Sequence, residues 1–122
     1  MLGGRQRSPA RRVARASPAF RDPTKFVGQV YGEQDARRLA ADRGWTVKPD
    51  GEFWRRVVGS PTPKRVVETR LIRLLLESGA IVICAGGGGV PVVRNVQGLL
   101  EGVEAVVDKD LTTSVLAEAL DA

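Results

Sequence analysis

The sequence predicts an α/β fold, on three observations. An amphipathic helical pattern over residues 64–78 runs directly into a continuous apolar stretch, AIVICA, at 80–85. Four consecutive glycines, Gly86 to Gly89, follow at once. A further apolar piece at 103–107 leads into a last helical pattern at 111–120. Helix, apolar strand, glycine loop, strand and helix, in that order, is the grammar of helices packed on a sheet.

The elements can be justified in chain order. Residues 17–32 mix prolines and glycines with apolar residues and read as an ordered loop, with a short strand near 26–31. Over 33–43, Ala36, Leu39 and Ala40 share one helical face, and Gly44 suits the position just past the helix end. Two strand-like runs, 45–48 and 52–58, flank Pro49-Asp50-Gly51, which is turn chemistry, so the pair reads as a β-hairpin. Gly59-Ser60-Pro61-Thr62-Pro63 reads as a hinge.

In the helix predicted over 64–78, Val67, Leu71, Leu74, Leu75 and Ser78 form the inward face, and Gly79 ends it. The run 80–85 is apolar at consecutive positions and rich in β-branched residues. That pattern predicts a strand buried on both faces, as in a parallel sheet, with Cys84 inert inside it. Residues 90–93 read as a short extended piece, 94–98 as a turn, and 103–107 as another strand. Asp110 is the expected N-cap of the last helix.

Composition narrows the function classes. The chain has 122 residues, 43% hydrophobic and 27% charged, which suits one globular domain. One cysteine excludes a disulfide scaffold. No apolar run is long enough to span a bilayer and no secretory signal is recognisable, so a cytoplasmic address is expected. The absence of histidine removes histidine-based acid–base chemistry and most zinc sites. Of the 19 basic residues, five arginines lie in residues 1–16, where there is no acid; the other 14 balance 14 acidic residues. The net charge of +5 thus belongs to an end segment, read as a disordered basic tail with no specific nucleic-acid partner.

Three features carry chemistry. Glycines at the carboxyl end of a strand let backbone N–H groups converge on an anion. Here Gly86 to Gly89 match neither the Walker loop nor the dinucleotide fingerprint, and a packed turn is the alternative. Asp108-Lys109-Asp110 opens a helix; a lysine there offers charge to a phosphate while a carboxylate fixes it, and a solvated helix start is the alternative. Lys25 sits among turn residues, where it either reaches a neighbouring site or is a surface lysine. Trp45, Phe53 and Trp54 read as hairpin packing, and Arg55-Arg56 as a solvated pair.

The stretches DPTKFVGQVY, RGWTVKPDGEFWRRVVGSPTPKRVVE, ICAGGGGVPVV and GVEAVVDKDLTTSVLAEAL together resemble the carbamate kinases of the amino-acid kinase fold. The resemblance runs from Pro18 to the end of the chain. It implies phosphoryl transfer between ATP and carbamate, or from carbamoyl phosphate to ADP in arginine fermentation. It implies a partial three-layer α/β/α, mainly parallel sheet at 63–122, and a small α+β protruding subdomain at 17–62 that covers the substrate. Lys25 and Gly86, Gly87 and Gly88 are thereby implied in substrate binding, and Lys109 and Asp110 in catalysis, with no residue assigned to a metal. The implied cofactor is ATP/ADP with Mg2+, the substrate carbamate or carbamoyl phosphate, and the assembly a homodimer. Phe26 and Gln29 stand where the family usually has prolines. Family chains are well over twice this length, so the chain reads as a central fragment, with its nucleotide half absent and no activity expected alone. The competing reading is a non-catalytic anion-binding or dimerising module.

Overall fold

The computed structural model describes residues 10–14 and 17–122. The tail reading of 1–16 therefore falls largely outside the described residues. Within the described residues it needs correction. Ala10–Val13 is strand β1, and it lies inside a four-stranded sheet. Arg-rich composition masked it, because its pairing partners are more than 45 residues away in sequence: Pro63–Val66 (β5), antiparallel, and Val90–Arg94 (β6), parallel. Leu100–Gly102 (β7) adds to β6 antiparallel, giving the order β5-β1-β6-β7.

The second sheet is the hairpin and its neighbour. Lys25–Tyr31 (β2) follows a 3-10 turn at Pro18–Phe20. Helix α1, Glu33–Arg43, ends at Gly44 with φ 66°, the left-handed conformation that a residue lacking Cβ adopts without strain. Thr46–Asp50 (β3) and Phe53–Val58 (β4) then pair antiparallel, turning at Gly51, φ 63°. β2 takes the other edge of β4, with an irregularity between Val27 and Val30 where Gly28 has φ 71°. Ala36 of α1 is fully buried.

Two small apolar clusters hold the body. Val13, Val93 and Val107 pack together with Phe20 and Val103 beside them. Val66, Ile72 and Leu116 form the other, with Val82 and Leu120. The second joins β5 to helices α2, Thr69–Glu77, and α3, Lys109–Leu120.

Several sequence expectations are overturned. The 59–63 stretch is not an open hinge: Gly59, Pro61 and Pro63 are buried. Residues 63–66 are strand, so α2 begins at Thr69 and not near residue 64. The stretch opens on Pro63, whose fixed φ suits extended backbone, and ends on β-branched Val66; β1 is the partner strand that it pairs with. The buried residue of α2 is Ile72, while Leu71, Leu74 and Leu75 are 57%, 53% and 41% exposed. Residues 80–85 form no strand, and Ile81, Ile83 and Cys84 are exposed. No described strand pairs with that run, and apolar composition alone supplies no ladder. Residues 103–107 contribute a single bridge, Gly59 to Ala105, though Val107 is deeply buried. Within the described residues the β1–β6 pair and that bridge are parallel and the other pairings antiparallel, so the mainly parallel sheet is not seen here. The fold class itself, mixed α/β, stands.

Candidate functional site

The glycine loop and the start of α3 meet. The loop is bracketed by left-handed backbone at Ala85, φ 59°, and Gly89, φ 80°. Between them, Gly88 lies so close to the backbone of Val107 that a Cβ built on it would fall 1.7 Å from the Val107 carbonyl oxygen. Only glycine fits there. The Thr112 hydroxyl, wholly buried one turn into α3, donates to the Gly88 carbonyl at 3.4 Å. Gly86 and Gly87 are exposed, with nothing near where a Cβ would project.

The N-cap of α3 is Asp108 and not Asp110. Its Oδ1 accepts from the amides of Asp110, at 2.8 Å, and Leu111, at 3.3 Å. Either aspartate matched the cap composition in the sequence; the chain enters the helix one residue after Asp108, which decides it. Those two amide bonds hold the Asp108 carboxyl below the ordinary carboxylate range, and the charges of Lys25 and Lys109 act the same way. Lys25 opens β2 opposite Val58, and its influence on Asp108 reaches from the three-stranded sheet to the α3 terminus.

Lys109 and Asp110 occupy the first turn of α3, in solvent. Lys109 Nζ donates to Asp110 Oδ1 at 2.7 Å. That bond, reinforced by charge attraction, raises the Lys109 pKa. The ammonium is therefore a fixed positive charge at neutral pH, beside a helix N-terminus that itself favours anions. The structure thus brings together Gly88, Val107, Asp108, Lys109 and Thr112, with Lys25 in electrostatic reach of Asp108. Sequence reasoning missed Thr112 as a contact and Asp108 as the cap. The first has no sequence signal; the second was legible as an aspartate three residues before Leu111.

Arg56 is not a solvated residue. It stacks on Trp45, its guanidinium carbon 4.7 Å from the ring centre, and bonds Glu104 at 2.8 Å. It thereby ties the three-stranded sheet to the loop that leads to Val107.

No family model matches the chain. Individual proteins do. The chain is 54% identical over 105 residues to a carbamate kinase from Haemophilus influenzae, covering 86% of this chain and 34% of that enzyme. It is 55% identical over 111 residues to a carbamate kinase from Pyrococcus horikoshii, covering 90% and 35%. Identity at that level marks homology. The homologues of this chain are carbamate kinases. It spans about a third of the length of the curated relatives it matches. A solved carbamate kinase from Giardia lamblia bound to AMP-PNP superimposes with a TM-score of 0.85 at 42% identity, over 94% of this chain and 37% of that one. The backbone of the chain is therefore similar to that part of a carbamate kinase.

Proposed function

We propose that this chain carries the carbamate- and phosphoryl-binding face of a carbamate kinase. The observation that supports it is the seating of Gly88 on Val107 and Thr112, which sets the glycine loop against the first turn of α3. In this reading the amides of Gly86, Gly87 and Gly88 donate to carbamate and to the transferred phosphoryl group. Lys109 neutralises the moving charge, and Asp110 holds its ammonium in place. Lys25 meets the phosphate of carbamoyl phosphate from the side of the three-stranded sheet. Phosphoryl transfer needs positioning and charge neutralisation more than a strong base, so the lack of histidine is no obstacle.

The same reading makes residues 17–62 the small subdomain over the substrate. The four-stranded sheet with α2 and α3 becomes one part of a larger, mainly parallel sheet between helices. Homodimeric assembly, a cytoplasmic address and a place in arginine fermentation follow from the family. No helix among the described residues is long and apolar enough to cross a membrane. No three His, Cys, Asp or Glu side chains cluster among the described residues. Magnesium and ATP or ADP are the cofactors that this reading implies.

Residues 1–122 alone are then expected to bind carbamoyl phosphate weakly and to turn nothing over. Loss of one electrostatic partner lowers rate about 10²–10³-fold, and loss of the nucleotide's proximity removes roughly 7–11 kcal/mol. The test is a titration of the 15N-labelled chain with carbamoyl phosphate. Amides of Gly86, Gly87, Gly88 and Lys109 should shift, and Lys109→Ala should abolish the shifts. Shifts elsewhere, or none, would overturn the site. In the intact Haemophilus influenzae enzyme, alanine at the position matching Lys109 should lower kcat more than it raises KM. At the position matching Lys25 the order should reverse.

A further inference from the structure

Several arginines of this chain pair with acids: Arg37 with Glu33, Arg38 with Asp35, Arg55 with Asp50 and Arg56 with Glu104. One face of the four-stranded sheet breaks that pattern. Arg12 of β1 stands directly opposite Arg65 of β5 in their antiparallel pair. In the parallel pair Arg12 stands opposite Val92 of β6, and Arg94, two residues on, shares the Val92 face. Leu100 of β7 is opposite Arg94. The three arginines, with Val67 and Leu100, line one cavity of about 50 Å3. No acid lines it, and among the described residues none forms an ion pair with Arg12, Arg65 or Arg94. Residues 1–9, which precede β1, contain no Asp or Glu either. Arg94 donates to the Gly98 carbonyl, which ties its guanidinium to the β6–β7 turn.

Like charges directly opposite one another destabilise a sheet. Three guanidiniums on one face therefore oppose the pairing of β5, β1 and β6, and an anion among them removes the opposition. The guanidinium fork matches phosphate oxygens in shape as well as in charge. Size limits the ligand. A cavity of that volume has room for a few waters and is far below the roughly 300–1,000 Å3 of sites for drug-sized molecules. We propose that Arg12, Arg65 and Arg94 form a second oxyanion site, for a single phosphate group. It differs from the proposed substrate site in place and in chemistry. The glycine loop enters β6 at Val90, and Arg94 lies at the other end of that strand, about 13 Å along it. Its donors are side-chain guanidiniums, not loop amides. The two sites therefore stand or fall apart.

The test is a titration of the 15N-labelled chain with inorganic phosphate and with glycerol phosphate, against chloride at equal ionic strength. Phosphate should shift the amides of Arg12, Arg65 and Arg94 and the guanidinium signals, and the shifts should saturate. Binding of inorganic phosphate alone makes the occupant the free ion; equal binding of both makes it a phosphate group carried by a larger molecule. Either supports the site. The double variant Arg65→Gln, Arg94→Gln should weaken binding at least about tenfold, with circular dichroism unchanged because both side chains are exposed. Lys109→Ala should leave it as it was. Phosphate should also raise the melting temperature of the parent chain and not that of the double variant. Equal shifts with chloride would reduce the patch to charge screening and overturn the proposal. So would shifts confined to 86–88 and 109, or binding indifferent to the two glutamines. A patch that binds a duplex oligonucleotide while phosphate leaves it unchanged would be a nucleic-acid surface, and would overturn it as well.

Discussion

Gly88 and Val107 meet backbone to backbone, with no room between the glycine Cα and the valine carbonyl oxygen for even one methyl group. That contact, nineteen positions apart in sequence, is what puts four otherwise unspecific glycines beside a helix start. It also sets Gly88, which is packed, apart from Gly86 and Gly87, which are open.

Gly88→Ala should therefore destabilise the chain by about 1–3 kcal/mol, the usual penalty for forcing atoms into a filled space. Gly86→Ala, with nothing within 4 Å of its new methyl, should change stability by less than about 0.5 kcal/mol. Urea unfolding of the two variants reads the difference. Equal midpoints would remove the packing argument.

Thr112→Val keeps the shape of the buried side chain but removes its hydroxyl. The Gly88 carbonyl then loses its donor, at a cost of about 1 kcal/mol, while Thr112→Ser retains the bond. The valine variant should also loosen the glycine loop, seen as faster amide exchange at 86–89 with α1 unchanged.

The start of α3 should respond to pH at both extremes. The Asp108 carboxyl titrates below its ordinary 3.8 in the folded chain. Its contribution is therefore full above about 3.8 and is lost as pH falls through the lowered folded value. Lys109 titrates above its ordinary 10.5. Its contribution is present below that and disappears as pH rises through the raised value. Asp108→Ala should abolish the acid-side change in amide exchange at Asp110 and Leu111, and a persisting change would reassign it to another carboxylate.

Arg56→Ala should be more damaging than Glu104→Ala. The arginine loses both its stacking on Trp45, about 0.5–1 kcal/mol, and an ion pair of about 0.2–1 kcal/mol. Glu104 is 80% exposed and loses only the pair. Thermal melts of the two variants and the double variant measure the coupling. Equal effects would mean that the stacking on Trp45 contributes nothing.

Hydrogen exchange should order the sheet plainly. Amides of Val92 and Val93 should exchange slowly and those of 81–85 much faster, because the former lie in paired strands and the latter in none. Slow exchange at 81–83 in a monomer would contradict the open face.

Local chemistry by itself determined much of this protein. The helix Glu33–Arg43 and its glycine stop, and the hairpin around Gly51, follow from spacing and turn residues acting within a dozen positions. The lysine and aspartate of the α3 start were equally legible, and so was the resemblance to carbamate kinases, which several stretches along the chain carry together. Tertiary structure decided what no window of sequence contains. Ala10–Val13 is a strand only because β5 and β6 lie on either side of it. AIVICA has stronger strand composition and forms no ladder, because no described strand lies beside it. Ile72, and not the leucines, faces inward because α3 and β5 sit on that side of α2. Strand formation and burial are properties of pairs of segments, and a single sequence specifies only one member of each pair at a time.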